Sequence, residues 1–494
     1  MNIAAQAPHP FLDGKPKKLL IDGKWSDAIT GTTFPSISPV DGSTLADIAQ
    51  GGVRDINLAV SAARKAFEGP WSKTKPFERQ AMLLRLAELV ERDFHDLATL
   101  DTLDMGAPIS FTSGRKTRAV GLLRYFASAV MMINGDTTGN SLPGDFFTYT
   151  LKEPVGVVGA IIPWNTPVTA AIWKLGPVIA TGCTIVLKPA EEASLSSLRL
   201  AELAMEAGIP PGVVNVVTGP GDTAGAALAA HTDVDKIAFT GSHFTGQKIV
   251  QASARNLKRL TLELGGKSPH IVFADANLDE AAQGAAMGVF VNSGQVCAAG
   301  TRLFVERKIY AEFIERVADL GRKLPVGHPL DPSTQIGPLA SSAQLERVTS
   351  YLDLGASEGA RPIMGGARLT EGDFAKGYFV PPTLFADVKD NMRIAQEEIF
   401  GPVLSAMPFE GMEELVERAN SSIFGLGCGV WTRDVTKAHT VARAVRAGNV
   451  WVNNYGAMDV QMPFGGYKMS GYGRESGRES LEAYLQTKAV YLRF

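Results

Sequence analysis

The chain has 494 residues, 45% hydrophobic and 20% charged, with a formal net charge of −3 from 48 basic and 51 acidic side chains. That balance excludes the basic surface that nucleic acid or an anionic membrane requires, and the length predicts several domains at roughly 100–200 residues each. Cys183, Cys297 and Cys428 form no CxxC pair and the histidines are scattered, which argues against a disulfide framework or a metal site.

No apolar run approaches the roughly 18 residues of a membrane span. The N-terminal segment lacks the apolar centre of a secretory signal, so the chain reads as cytoplasmic. In chain order, residues 17–60 read as short strands and turns around "KKLLIDGKW" and "DGST". Residues 78–106 carry apolar side chains at helical spacing and end at a glycine, which predicts helices. Residues 135–153 alternate polar and apolar. From 154 onward the apolar runs "VGVVGAII", "TIVLKP", "GVVNVVTG", "KIAFTG" and "RLTLELGG" alternate with helical segments. This is the pattern of a parallel sheet covered on both faces. A second strand–helix series runs from "HIVFADA" to "GNVWVNN", with the Cys297 loop after its first helix, and residues 481–494 are strand-like. The predicted fold class is α/β, with two doubly wound parallel-sheet domains and a small β arm. Unpaired apolar strands in that arm invite pairing with another subunit.

Five stretches carry chemistry. "TGPGDTA" sets Gly219, Gly221 and Ala224 in a G-x-G-x-x-A pattern between strand and helix, while "FTGSHFTG" opens a helix with Gly241 and Ser242. Either turn offers backbone N–H groups to a phosphate, or is merely a turn that needs flexible residues. Lys188 and Glu191 of "VLKPAE" end a strand, where each could hydrogen-bond a ribose hydroxyl or form an ordinary solvated pair. Glu263 of "LELGGKSP" ends an apolar strand, where low polarity would raise its pKa toward use as a general base; a capping or salt-bridged carboxylate is the alternative. Prolines bracket Trp164 and Asn165 in "IIPWNTPV" and aim the asparagine amide as an oxyanion donor or an Asx turn. In "NSGQVCAAGTRLF", Cys297 sits among Gly294, Ala298, Ala299 and Gly300, either packed as a structural thiol or given room as a nucleophile.

Together, "PWNTP", "KPAEEAS", "FTGS", "LELGGKSP", "GQVCAAGTR", "EEIFGPV" and "PFGGYKMSGYGRE" occur in one order across 163–475. The chain resembles the NAD(P)-dependent aldehyde dehydrogenase superfamily of the hydrolytic type over almost its whole length. Cys297 lies 34 residues beyond Glu263 (297 − 263), as the family's nucleophile and base do. The resemblance implies that Cys297 is the catalytic thiol, Glu263 the base for hydrolytic water and Asn165 the side-chain half of the oxyanion hole. It implies adenosine-ribose contacts at Lys188 and Glu191, a pyrophosphate turn at Gly241 and Ser242, and Gly219 beside the adenine. Trp164, Glu398 and Phe400 would flank the nicotinamide end, and the small neighbours of Cys297 would leave room for aldehyde and nicotinamide on opposite sides. The domains become a cofactor-binding unit (1–134 and 154–264), a catalytic unit (265–475) and an oligomerisation arm (135–153 and 476–494) building a homodimer or homotetramer. Glu191 favours NAD, since a carboxylate near the ribose repels a 2′-phosphate; flexible side chains leave NADP open.

By the same resemblance the aldehyde tunnel is lined by Thr166, Ala170, Trp173, Val291, Val296, Ala298, Met458 and Phe464. Thr166, Ala170 and Val291 are small, which predicts a wide apolar tunnel for a medium or bulky aldehyde, aromatic or terpenoid. No arginine is evident there, which disfavours a second carboxylate on the substrate. Met458 in place of an aromatic ring weakens a trimethylammonium reading. A coenzyme A-acylating enzyme, a cofactor-independent cysteine esterase or thioesterase and a non-catalytic scaffold are the alternatives. Glu263 argues against the first, since family members that acylate coenzyme A lack that carboxylate.

Overall fold

The computed structural model describes residues 9–494. Its larger sheet has eight strands, in the order Lys24–Ser26, Leu19–Ile21, Val214–Val216, Thr184–Lys188, Val157–Ile161, Lys236–Thr240, Arg259–Glu263 and Gly471–Tyr472. The five from Val214–Val216 to Arg259–Glu263 are mutually parallel. Numbered along the chain they run 3-2-1-4-5, so the winding reverses between Val157–Ile161 and Lys236–Thr240. A crevice opens at the carboxyl ends of strands at such a reversal. The second sheet has seven strands, ordered Arg361–Met364, Thr383–Ala386, Val403–Phe409, Arg302–Glu306, Pro269–Val272, Gly427–Trp431 and Asn449–Val452. Only Arg361–Met364 pairs antiparallel.

Continuous apolar runs form these strands because helices bury both faces. Val157–Ile161 and Thr184–Lys188 are buried at every position. Their side chains alternate between two cores: Val158, Ile185 and Leu187 join one, Val157, Ile161 and Val186 the other. Cores on the two faces of the second sheet divide Ile271 and Phe304 from Val272 and Leu303 in the same way. Each such side chain contributes about 1.5–3 kcal/mol on burial.

Three details refine the sequence reading. The helical stretch expected over 78–106 divides at Asp93 into Pro76–Arg92 and Phe94–Met105. Asp93 leaves helical geometry and pairs with Arg92 and Arg199. Gly471–Tyr472, placed by sequence with the second unit, instead adds an antiparallel strand beside Glu263 in the first sheet. The segment 481–494 opens inside the short helix Gly477–Glu482 before its strand begins. That strand, Leu485–Arg493, pairs antiparallel with Phe146–Pro154, and Thr137–Thr138 completes a three-stranded arm. Among the described residues no helix is long and apolar enough to cross a membrane.

Candidate active site

A cavity of about 350 Å³ lies at the winding reversal, lined by Trp164, Asn165, Gly241, Ser242, Glu263, Cys297, Glu398 and Phe400. A second cavity of about 300 Å³ adjoins it, and Asn165, Thr166, Trp173, Cys297 and Phe464 line both. The thiol thus sits where the two meet.

Cys297 lies in the loop between helix Leu278–Phe290 and strand Arg302–Glu306. The loop turns through three left-handed residues in a row, Asn292 (φ 53°), Ser293 (φ 53°) and Gly294 (φ 74°). For non-glycine residues this conformation costs about 1–3 kcal/mol each, so the surroundings must enforce it. The Ser293 hydroxyl donates to the Gly337 carbonyl (2.8 Å), the Asn292 amide to the Asn165 carbonyl (3.2 Å), and the Tyr455 hydroxyl to the Ala298 carbonyl (2.6 Å). Not all the small residues around the thiol make room for ligands. A Cβ on Gly294 would lie 2.0 Å from the Gly401 carbonyl oxygen, and one on Gly300 2.9 Å from His270. These two glycines let the loop pack on the second sheet, while Ala298 lines the second cavity. Burial, then the charges of Glu398 and Glu263, push the Cys297 thiol up to about 12; the Ala298 N–H and Arg115 pull the other way. Cys183 and Cys428 are fully buried in the cores.

Glu263 closes its strand 4% exposed, with no hydrogen-bond partner among the described residues on either carboxylate oxygen. Burial raises its pKa well above the usual carboxylate range, and Glu475 raises it further against the pull of Lys174 and Arg474. Lys174 and Glu475 form a buried ion pair behind it. Neither residue is signalled by sequence; they stand 301 positions apart and only the fold joins them. Asn165 makes no local turn: its side-chain amide donates to the Gln295 carbonyl (2.9 Å), which ties it to the cysteine loop.

Gly241 and Ser242 connect strand Lys236–Thr240 to helix His243–Ser253, where the Ser242 hydroxyl caps the Thr245 N–H at 3.2 Å. Glu398 accepts from the Gly266 N–H (3.0 Å), and Gly265 has no space for a Cβ because the Glu398 carboxylate would be 2.0 Å away. Burial pushes Glu398 up to about 7. Phe400 meets Trp164 edge-on, with centroids 5.2 Å apart. Lys188, Glu191 and Gly219 lie outside this cavity. Lys188 pairs with Glu191 (2.8 Å), whose other oxygen accepts from the Gly221 N–H at 3.2 Å, so both glycine turns border the sheet's carboxyl edge. Gly219 (φ 147°) is required by the chain itself: a Cβ there would meet the Gly51 carbonyl oxygen at 2.4 Å.

Seven of the eight expected tunnel residues line the second cavity; Ala170 lines the first instead, because its turn of helix Pro167–Thr181 faces that side. Trp173 and Phe464 stack, with centroids 5.9 Å apart. The expectation of a wall without arginine is overturned: Arg115 and Arg118 line this cavity. They come from the start of helix Lys116–Ala129, and "RKTR" carries no sign that the helix end meets Met458, 340 positions on. Ring faces are present too, in Trp451 and Tyr455, so a cationic head group is disfavoured by the two guanidiniums rather than by Met458.

A cavity at the winding reversal of a doubly wound sheet, with a helix start on its rim, defines a dinucleotide-dependent class of enzyme. The model of the aldehyde dehydrogenase family matches residues 25–490; the chain belongs to that family and is an NAD-dependent aldehyde dehydrogenase. It is 46% identical over 490 residues to the mitochondrial aldehyde dehydrogenase of Homo sapiens, covering 98% of this chain and 93% of that protein. It is 48% identical over 476 residues to the mitochondrial benzaldehyde dehydrogenase of Antirrhinum majus, with 96% and 88% covered. The NAD+ complex of aldehyde dehydrogenase from Bacillus cereus superposes with a TM-score of 0.95 at 46% identity, covering 98% of each chain.

Proposed function

We propose that the chain oxidises an aldehyde to the carboxylic acid by covalent catalysis at Cys297, with water as the acyl acceptor. The observation that carries this reading is the convergence of Cys297, Asn165 and Glu263 on one cavity. The residues suit NAD: a helix start at Gly241–Ser242 for the pyrophosphate, Lys188 and Glu191 for the adenosine ribose, and Glu398 with Trp164 and Phe400 toward the nicotinamide end. Gly219 would border the adenine. When bound, NAD accepts the hydride that the aldehyde carbon gives up.

Cys297 gives its proton to solvent water, and its sulfur bonds to the carbonyl carbon as the C=O pair moves onto oxygen, leaving a tetrahedral oxyanion. The Asn165 amide and the Cys297 backbone N–H hold that charge, and a donor of this kind contributes about 3–4 kcal/mol. Once hydride has left, the carbonyl re-forms as a thioester on Cys297. Glu263 takes a proton from water, the resulting hydroxide attacks the thioester carbon, and the carboxylic acid leaves as the thiol is restored. The raised pKa of Glu263 suits it to hold that proton.

The substrate body is a medium or bulky apolar aldehyde, aromatic or terpenoid. The stacked Trp173 and Phe464 wall supports this, as does the likeness to a benzaldehyde dehydrogenase. Residues 9–134 with 154–264 form the cofactor-binding unit, joined by strand Gly471–Tyr472, and the rest of 265–475 forms the catalytic unit. The arm of 135–153 and 476–494 builds a homodimer or homotetramer, supported by exposed Phe147, Leu151, Tyr491, Leu492 and Phe494. Three free cysteines fit a reducing, cytoplasmic location. An aldehyde panel with NAD and NADP, run beside Cys297→Ala, tests the reading. Cys297→Ala is expected to abolish oxidation while still binding NAD, and aromatic aldehydes are expected to rank first; highest kcat/KM for short charged aldehydes contradicts the substrate assignment.

A further inference from the structure

Arg115 and Arg118 stand three residues apart, so they share one side of the helix start. Lys116 and Thr117 between them are exposed, whereas both arginines are half-buried and line the cavity that holds Cys297. Neither makes an ion pair among the described residues. The Arg118 guanidinium lies 4.6 Å over the Trp173 ring, and among the described residues its one side-chain acceptor is the Met458 sulfur at 2.7 Å. A thioether is a weak acceptor. Arg115 lies 4.3 Å over Phe111, and its Nε is buried without any partner. Stacking covers the face of a guanidinium and leaves its N–H edge free for a planar, bidentate acceptor.

Two cations held together in a half-buried wall need a counter-charge. Burial, with the charge of Arg115 next, lowers Arg118 to about 10. The acids in electrostatic reach supply only part of that charge, and to Arg115 rather than Arg118. Asp101 is buried and pushed up to about 7, with one oxygen unpartnered, and the Cys297 thiol holds its proton at neutral pH.

We propose that this cavity selects aldehydes whose apolar body ends in a carboxylate, held by the N–H edge of Arg118 with Arg115 reinforcing the charge. The inference rests on the cavity being the aldehyde tunnel, and it reverses the expectation that a second carboxylate is excluded. Arg118 is then a specificity residue that touches the far end of the substrate and takes no part in the bond changes at Cys297.

The test compares 4-formylbenzoate, its methyl ester and benzaldehyde with NAD on the wild-type enzyme and on Arg118→Met, Arg115→Met and Arg118→Lys. The wild type is expected to favour the acid over the ester by about tenfold or more in kcat/KM, mostly through KM. Arg118→Met is expected to lower kcat/KM for the acid by about tenfold more than for benzaldehyde and so remove that preference, Arg115→Met weakens it, and Arg118→Lys, which keeps charge without the fork, restores part of it. Equal or better use of the ester by the wild type overturns the proposal. So does an equal fall for all three substrates in Arg118→Met, which makes the arginine a support for the wall or for the thiol. Benzaldehyde oxidation without an acid preference leaves the tunnel standing and removes only the arginine assignment, whereas failure to oxidise any of the three removes the tunnel reading beneath it.

Discussion

The Cys297 thiol and the Glu263 carboxylate share a predicament, because burial favours the proton on both. The charge of Glu263 adds to the burial that holds the proton on the Cys297 thiol, so the thiolate is scarce at neutral pH. Activity needs the thiolate first and a proton-accepting carboxylate afterwards. Because a raised pKa puts the deprotonated form at higher pH, log kcat/KM is expected to climb from pH 7 to pH 9 without levelling. A plateau below pH 8 contradicts the account. Cys297, Glu263 and Asn165 were legible in the sequence because their chemistry shows in short motifs with a fixed spacing. Lys174, Glu475, Arg115 and Arg118 were not, because their significance lies in partners that only the fold supplies.

Helix Pro167–Thr181 does more than cover a sheet face. It starts at a proline, stops at Gly182 in the left-handed conformation (φ 87°), and is buried along nearly its whole length. Its Lys174 meets Glu475 just ahead of helix Gly477–Glu482, and its Trp173 ring N–H donates to the Ser476 hydroxyl at 2.9 Å. These contacts fasten the chain's last segment beneath Glu263. Lys174→Met leaves Glu475 buried with its cation removed and is expected to cost about 3–5 kcal/mol, read as a lowered Tm. Lys174→Met/Glu475→Leu is expected to recover most of that loss; a Tm unchanged in the single variant contradicts this role. At this scale the alternating apolar runs predicted the parallel strands well, since burial on both faces writes itself into composition. The break at Asp93 and the return of Gly471–Tyr472 to the first sheet rest on long-range pairing, which local periodicity cannot carry.

Over the whole molecule, the first sheet presents the carboxyl ends of its strands and the second presents the loop ahead of strand Arg302–Glu306. The space between them holds the thiol at the meeting of two cavities, proposed to take the dinucleotide and the aldehyde. Two α/β units were readable from the rhythm of strands and helices, whereas the charge on the tunnel wall was not, because it enters from a helix outside both series. The central claim is that Cys297 carries the acyl group and Glu263 releases it. Single-turnover mixing of Glu263→Gln with aldehyde and NAD tests it directly. The account predicts a burst of NADH close to one per site, then a stall, with the acyl mass retained on Cys297. Steady turnover at the wild-type rate, or a burst with no adduct on Cys297, contradicts it.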